Sequence, residues 1–358
     1  MLFREAIDQI QPTDSRLLAQ AQARLDRLTK PIGSLGRLEE LAARYVMMTG
    51  EIKPKVPRGA VFTFAADHGV TIEGVSAYPS AVTSQMVLNF LRGGAGVNVL
   101  ARHVGIEVRV VDIGVAFEFQ AVPGLIPRKV MLGTKNLLAE SAMSPGQAAQ
   151  AVQIGIDLAI EASQEGIGLI GTGEMGIGNT TASSAIAAVM TRRPVSEVTG
   201  RGTGIDDAAH AHKIDVIQRA IGFHRPDLTD AMEVLAKVGG LEIGGLAGLM
   251  LGAAAARIPV VLDGFIAGAA ALIAVGLQPR CKDYLIASHR SVERGHQAIL
   301  DYLDLKPLFD LDLRLGEGTG ACLGMNLVFA AIKVLTEMAT FDEADVSERE
   351  ARKGTCEA

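Results

Sequence analysis

The chain has no tryptophan, and aromatic residues of any kind make up 4% of its 358 positions. That excludes an aromatic platform for stacking single-stranded nucleic acid. Basic runs are missing too. Lys and Arg number 34 against 40 Asp and Glu, a net charge of −6, so no cationic stripe exists to follow a phosphate backbone. The three cysteines, Cys281, Cys322 and Cys356, form no CxxC pair. A disulfide framework and a cysteine-held zinc are excluded, and the usage matches a reducing cytoplasm. Met1 to Asp8 lacks the apolar core of a secretion signal.

Charge is scarcest between Ile258 and Leu277, where Asp263 is the only ionisable group and the length approaches that of a bilayer-spanning helix. Asp263-Gly264 divides this stretch into a β-branched run and an Ala-rich run, which predicts a buried strand followed by a buried helix, with no membrane span. Metal-ligand spacing is absent as well. His210 and His212 are two apart on a helix and point in different directions, and His289 and His296 have no neighbouring acid that selects a metal. Neither a metal nor a cofactor is expected.

About half of the chain is apolar, enough for a deep core. Leu35, Leu38, Leu41, Tyr45 and Met48 recur at helical spacing, with Ser34 as N-cap and Gly50 as stop. Beyond them, short apolar runs alternate with helical segments, the pattern of a parallel α/β sheet. Strands are predicted at Ala60–Ala65, Val108–Val111, Ile167–Ile170, Ile258–Leu262 and Tyr284–Ala287. Four of the five end in an acid: Asp67, Asp112, Glu174 and Asp263. Ligands of such sheets bind beyond the carboxyl ends of the strands. These four carboxylates and Glu317, which sits among Gly316, Gly318 and Gly320 before a predicted helix, describe an acidic crevice suited to a cationic centre.

Two glycine loops are candidates for phosphate. Gly171-Thr172-Gly173-Glu174-Met175-Gly176 follows a strand, and Gly178-Asn179-Thr180-Thr181 then opens a helix, whose N-terminus favours an anion. A dinucleotide fingerprint would need a second strand with an acid roughly 20 residues on. The chain instead enters Gly200-Arg201-Gly202-Thr203-Gly204, and Glu174 would repel a pyrophosphate. A single phosphate between two loops is therefore favoured over an NAD-dependent oxidoreductase. Lys213 shares a helix face with Asp206 and His210 and reaches toward that phosphate. A sensor that binds the nucleotide without turning it over is the remaining alternative.

Taken together the segments resemble the nicotinate-nucleotide–dimethylbenzimidazole phosphoribosyltransferase family. The likeness runs through Thr29-Lys30-Pro31-Ile32-Gly33-Ser34-Leu35-Gly36-Arg37-Leu38-Glu39, Ala66-Asp67-His68-Gly69-Val70 and Gly173–Thr181. It continues through Lys213-Ile214-Asp215, Leu235–Gly240, Leu262-Asp263-Gly264-Phe265 and Arg314–Gly318. The resemblance implies a Rossmann-like parallel sheet flanked by helices, with a small helical domain formed by the chain ends, and a homodimer. The corresponding boundaries are residues 1–28, 29–300 and 301–358. It implies transfer of phosphoribosyl from nicotinate mononucleotide to a benzimidazole-type base, with Glu317 as catalytic base and Glu174 across the site. Gly176, Gly178, Asn179, Thr180, Gly202, Thr203, Lys213 and Asp263 would hold phosphate and ribose. Ser80, Leu88, Met175 and Leu315 would line the base pocket.

Overall fold

A computed structural model describes residues 1–347. Cys356 lies outside the described residues.

Six strands form one parallel sheet: β1 Arg58–Ala66, β2 Glu107–Gly114, β3 Leu125–Pro127, β4 Ile167–Met175, β5 Val260–Leu262 and β6 Leu285–Ala287. Their order is β3-β2-β1-β4-β5-β6, and every pairing is parallel. This is the doubly wound arrangement, in which the strand order reverses between β1 and β4 and opens a crevice at their carboxyl ends. Continuous apolar runs such as Val61–Phe62 and Ile167–Ile170 form these strands because helices cover both faces and leave no side for water. All five predicted strands are present. The predictions missed β3, three residues that follow Gly124 and end in Pro127.

The helical segments expected between the strands include Ala81–Arg92, Pro145–Gln164, Asn179–Thr191, Asp207–His224 and Leu241–Ala255. The tightest packing joins Pro145–Gln164 to Leu241–Ala255. A Cβ on Gly155 would fall 1.9 Å from the Gly245 carbonyl oxygen, and one on Gly248 would fall 1.9 Å from that of Val152. Backbone therefore rests directly on backbone, which only glycine permits. The apolar stretch 258–277 resolves into β5 and the helix Phe265–Leu277, whose residues from Phe265 to Ala274 are all buried. Thr319–Glu337 is long and apolar enough to cross a bilayer, but 56% of its most apolar window is buried inside the protein. Its buried residues, among them Ala321, Met325, Val328 and Ile332, recur on one helical face, the pattern of a core helix.

The chain divides into two compact units: Met1–Pro12 with Pro57–Asn326, and Thr13–Val56 with Leu327 onward. These bounds differ from the expected 1–28, 29–300 and 301–358. The first twelve residues belong to the large unit, where Phe3 N–H donates to Gln153 Oε1 at 2.9 Å and the Tyr284 hydroxyl donates to the Gln11 carbonyl at 2.9 Å. Residues 29–56 belong instead to the smaller unit, which is helical. There Arg16–Asp26 and Arg37–Thr49 lie with the end of Thr319–Glu337, and Lys30 and Glu39 form a buried ion pair at 2.8 Å. Ser34 is not an N-cap. Gly33 and Gly36 both take positive φ, so the chain turns twice before the helix starts at Arg37, with Gly36 as its cap. Gly50 ends that helix in the left-handed conformation, as expected.

Candidate active site

Beyond the ends of β1, β4 and β5 the large unit holds a cavity of about 530 Å³. Met175, Gly176, Asn179 and Thr180 line it from the turn after β4, and Gly202 and Thr203 from the next glycine loop. Leu315, Gly316 and Glu317 line it from the C-terminal loop. Glu174 is there too, so the two carboxylates assigned to the chemistry share one hollow.

Glu317 is held in a costly conformation. Its φ is +65°, and for a residue with a Cβ the left-handed region costs roughly 1–2 kcal/mol. The surroundings enforce it. Thr63 Oγ1 donates to the Glu317 carbonyl at 2.9 Å, and Val97 N–H donates to its Oε2 at 3.1 Å from the first turn of Gly96–Val104. The side chain is 6% exposed. Burial raises its pKa above the usual carboxylate value, against the N–H groups of Val97 and Gly96.

β4 does not stop where the apolar run stops. It continues through Gly171-Thr172-Gly173 to Met175, so the turn starts at Gly176 and the 171–176 fingerprint is not a loop. The physical reason is proximity. A Cβ on Gly173 would lie 2.2 Å from the Glu317 carbonyl oxygen, so this glycine makes room for the Glu317 loop and not for a dinucleotide. Glu174 is 6% exposed and accepts from Asn179 Nδ2. Burial, helped by the charges of Asp263, Glu242 and Glu317, pushes its pKa up to about 8. A cationic ligand between Glu174 and Glu317 would favour ionisation of both.

The other strand-end acids face inward, away from the cavity. The Asp112 carboxylate accepts from Val115 N–H at 2.9 Å and pairs with Lys129 at 3.0 Å, and Asp67 accepts from Ala116 N–H at 2.8 Å. Asp263, expected at the ribose, is 1% exposed. Its Oδ2 accepts from Gly318 N–H at 3.1 Å, and its Oδ1 from Gly320 and Ala321 N–H at 2.7 and 3.1 Å. It is thus a clamp on the Glu317 loop and the helix that follows. Burial raises its pKa to about 7, against these N–H groups.

Lys213 is 1% exposed, and its ammonium donates to Thr180 Oγ1 at 2.7 Å, directly below Gly202. Burial lowers its pKa to about 8, with Glu293 opposing. The lysine thus lies under the junction of the two glycine loops. Gly178 caps Asn179–Thr191 at φ +95°, so the helix opens at the cavity wall. Thr203 Oγ1 accepts from Ala77 N–H at 3.0 Å and ties the second loop to the segment before Ala81–Arg92.

Two of the four residues expected at the base pocket, Met175 and Leu315, line this cavity. Tyr78, Val82 and Met86 line the cavity with Met175, Ile177 and Leu315, whereas Ser80 and Leu88 do not. Ser80 is the helix cap and its hydroxyl lies 3.0 Å from that of Thr71. Two residues on a helix rotate a side chain by roughly 200°, so Met86 and Leu88 cannot share a stripe. The four-residue recurrence of 78, 82 and 86 was the available signal. His289, Ser291, Glu293 and Arg314 complete the wall. They were missed because no spacing ties residues of β6's trailing loop to residues 314–317. A second hollow, of about 650 Å³, lies between residues 135–147 and 230–237. Of its acids, Asp230 caps a helix, Glu233 pairs with Lys237 and Glu140 is exposed, and it brings no buried carboxylate together with a glycine loop.

A doubly wound sheet whose crevice joins buried carboxylates to a two-loop anion seat describes a transferase acting on a sugar phosphate. Residues 10–346 match the model of the phosphoribosyltransferase family, and the chain belongs to that family. It is 59% identical over 349 residues to the nicotinate-nucleotide–dimethylbenzimidazole phosphoribosyltransferase of Geotalea uraniireducens, covering 98% of this chain and 99% of that protein. Identity to the Chloroflexus aggregans protein of the same name is 61% over 348 residues, covering 97% and 99%. Among solved structures, CobT from Thermus thermophilus superposes with a TM-score of 0.89 at 48% identity, covering 93% of this chain and all of that one.

Proposed function

We propose that the protein transfers the phosphoribosyl group of nicotinate mononucleotide to 5,6-dimethylbenzimidazole or a related base, giving α-ribazole 5′-phosphate and nicotinate in cobalamin biosynthesis. The observation that carries this reading is the shared cavity, which is lined by Glu317 and Glu174, by the two glycine loops over Lys213 and by an apolar wall of Val82, Met86 and Ile177.

The donor's anomeric carbon already bears a cationic pyridinium. Its C–N bond breaks with the electron pair returning to the ring nitrogen, so nicotinate leaves without being protonated. The benzimidazole nitrogen attacks from the opposite face, which turns the β-linkage into an α-linkage. Attack makes the incoming ring cationic and its remaining N–H acidic, and Glu317 takes that proton. Glu174 and Glu317 also stabilise the positive charge that spreads over the sugar as the bonds exchange, in a site where water is largely excluded. Main-chain N–H groups of the glycine loops and the Lys213 ammonium bind the 5′-phosphate. The apolar wall receives the flat acceptor ring. We further propose that the enzyme acts as a homodimer in the cytoplasm, a reading supported by the family likeness and by the free, buried Cys281 and Cys322.

Incubating the purified protein with nicotinate mononucleotide and a panel of benzimidazoles, purines and phenols, with products separated chromatographically, tests the reading. Release of nicotinate together with an α-ribosyl phosphate of the base is expected. Absence of both with every base in the panel refutes it.

A further inference from the structure

A ribose brings hydroxyl groups that need acceptors away from the reacting carbon. With the phosphate at the glycine loops and the anomeric carbon near Glu317, the sugar would run past Gly264, His289 and Ser291, which line the same cavity. His289, just after β6, is 3% exposed, and its ring is held from several sides. Nδ1 is 2.9 Å from Ser288 Oγ, and the ring stacks on Phe309 at 5.8 Å with 17° between planes. A Cβ on Gly320 would come within 2.0 Å of Nδ1, so Thr319–Glu337 begins with a glycine where this ring sits. The second nitrogen, Nε2, has no hydrogen-bond partner among the described residues and lies on the side of Gly264, which itself lines the cavity.

The hydrogen bonds decide the tautomer. Ser288 Oγ lies 3.3 Å from the Asp263 carbonyl oxygen as well as 2.9 Å from Nδ1. A carbonyl only accepts, so both contacts are satisfied only if Ser288 donates to Asp263 and accepts from Nδ1–H. Nε2 then carries a lone pair aimed at the cavity. Burial keeps the ring neutral, taking its pKa down to about 4 against the pull of Asp310.

The geometry points to His289 as a donor-binding residue whose Nε2 accepts a hydrogen bond from a ribose hydroxyl of the phosphoribosyl donor. This rests on the transferase reading above and adds a group that sets the sugar's orientation. It also joins two parts of the site. Ser288 bonds the Asp263 carbonyl, and the carboxylate of the same aspartate holds the loop that carries Glu317. The residue gripping the sugar and the base that deprotonates the acceptor thus share an anchor.

The test measures kcat/KM for nicotinate mononucleotide and its 2′-deoxy and 3′-deoxy forms in the wild type, H289F and H289Q. Phe keeps the stack on Phe309 and removes both nitrogens, whereas Gln carries an amide oxygen out to the position of Nε2. H289F is expected to lose about tenfold on the natural donor, the size of one hydrogen bond, and H289Q to recover most of it. One deoxy donor should cost the wild type a similar factor and cost H289F nothing more. H289N, which reaches Ser288 but not the cavity, replaces H289F if the latter does not fold. Equal discrimination against both deoxy donors by wild type and H289F overturns the inference, as does a loss in H289Q as large as in H289F. A wild type that transfers nothing from nicotinate mononucleotide refutes the transferase reading itself, and this arm separates the two failures.

Discussion

Replacing Asp263 with Asn separates a loop clamp from a ribose ligand. The carboxylate accepts three N–H groups, Gly320 and Ala321 on Oδ1 and Gly318 on Oδ2. With the amide oxygen at the Oδ1 position, two bonds survive, and an NH₂ group faces Gly318 N–H. One bond to a charged acceptor is lost, worth about 1.5–3 kcal/mol. The gain from burying a neutral amide in place of a carboxylate raised to about pH 7 offsets part of it. A net loss of about 2 kcal/mol is expected, seen as a drop of about 4 °C in Tm. The loop carrying Glu317 loses its tether at Gly318, so kcat should fall at least about tenfold while KM for the donor stays near its original value. Thermal melts and steady-state kinetics on one preparation read both quantities. An unchanged Tm with a raised donor KM would mean that Asp263 touches the sugar, and the clamp reasoning would be wrong.

Three further outcomes follow from the same site. Glu174 has a folded pKa near 8 against an ordinary 4.5, so the stability it contributes is present below pH 4.5 and is lost as pH rises through 8. Glu174→Gln should flatten that part of the Tm profile, and a profile equally steep in both proteins contradicts the assignment. Gly173→Ala places a methyl 2.2 Å from the Glu317 carbonyl oxygen. It should cost about 1–3 kcal/mol and lower turnover more than tenfold; wild-type kinetics would show that the strand and loop are not in close contact. Met86→Gln should change KM for the acceptor base severalfold while Leu88→Gln leaves it alone, and kinetics with two acceptors of different polarity show which position lines the pocket.

Most of the sheet could be read from apolar runs, because a strand covered on both faces has no polar alternation to disguise it. The strand ends were half legible: Asp67 and Asp263 directly follow β1 and β5, whereas Asp112 and Glu174 lie inside β2 and β4, which run on to Gly114 and Met175. What those acids do was not legible. Asp67, Asp112 and Asp263 stand in similar sequence contexts to Glu174, yet main-chain N–H groups of distant segments take up Asp67 and Asp263, Val115 N–H and Lys129 take up Asp112, and the glutamate is left facing the cavity. The glycines of 171–173 misled for a related reason. A glycine needed for a turn and one needed for a neighbouring backbone look alike until the neighbour, here Glu317, is known. The small unit defeated the linear boundaries because it is assembled from 13–56 and the chain beyond 327. His289 carried no local signal at all, since its role depends on Ser288, Asp263 and Phe309 meeting in space.

Glu317→Gln tests the account most directly. The amide oxygen can still accept from Val97 N–H, so the fold and the donor affinity should be retained. Proton acceptance is lost, and formation of the α-ribosyl phosphate should slow by roughly 10²–10⁴-fold. Product appearing at the wild-type rate from a folded, donor-binding E317Q protein would contradict the assignment of the base.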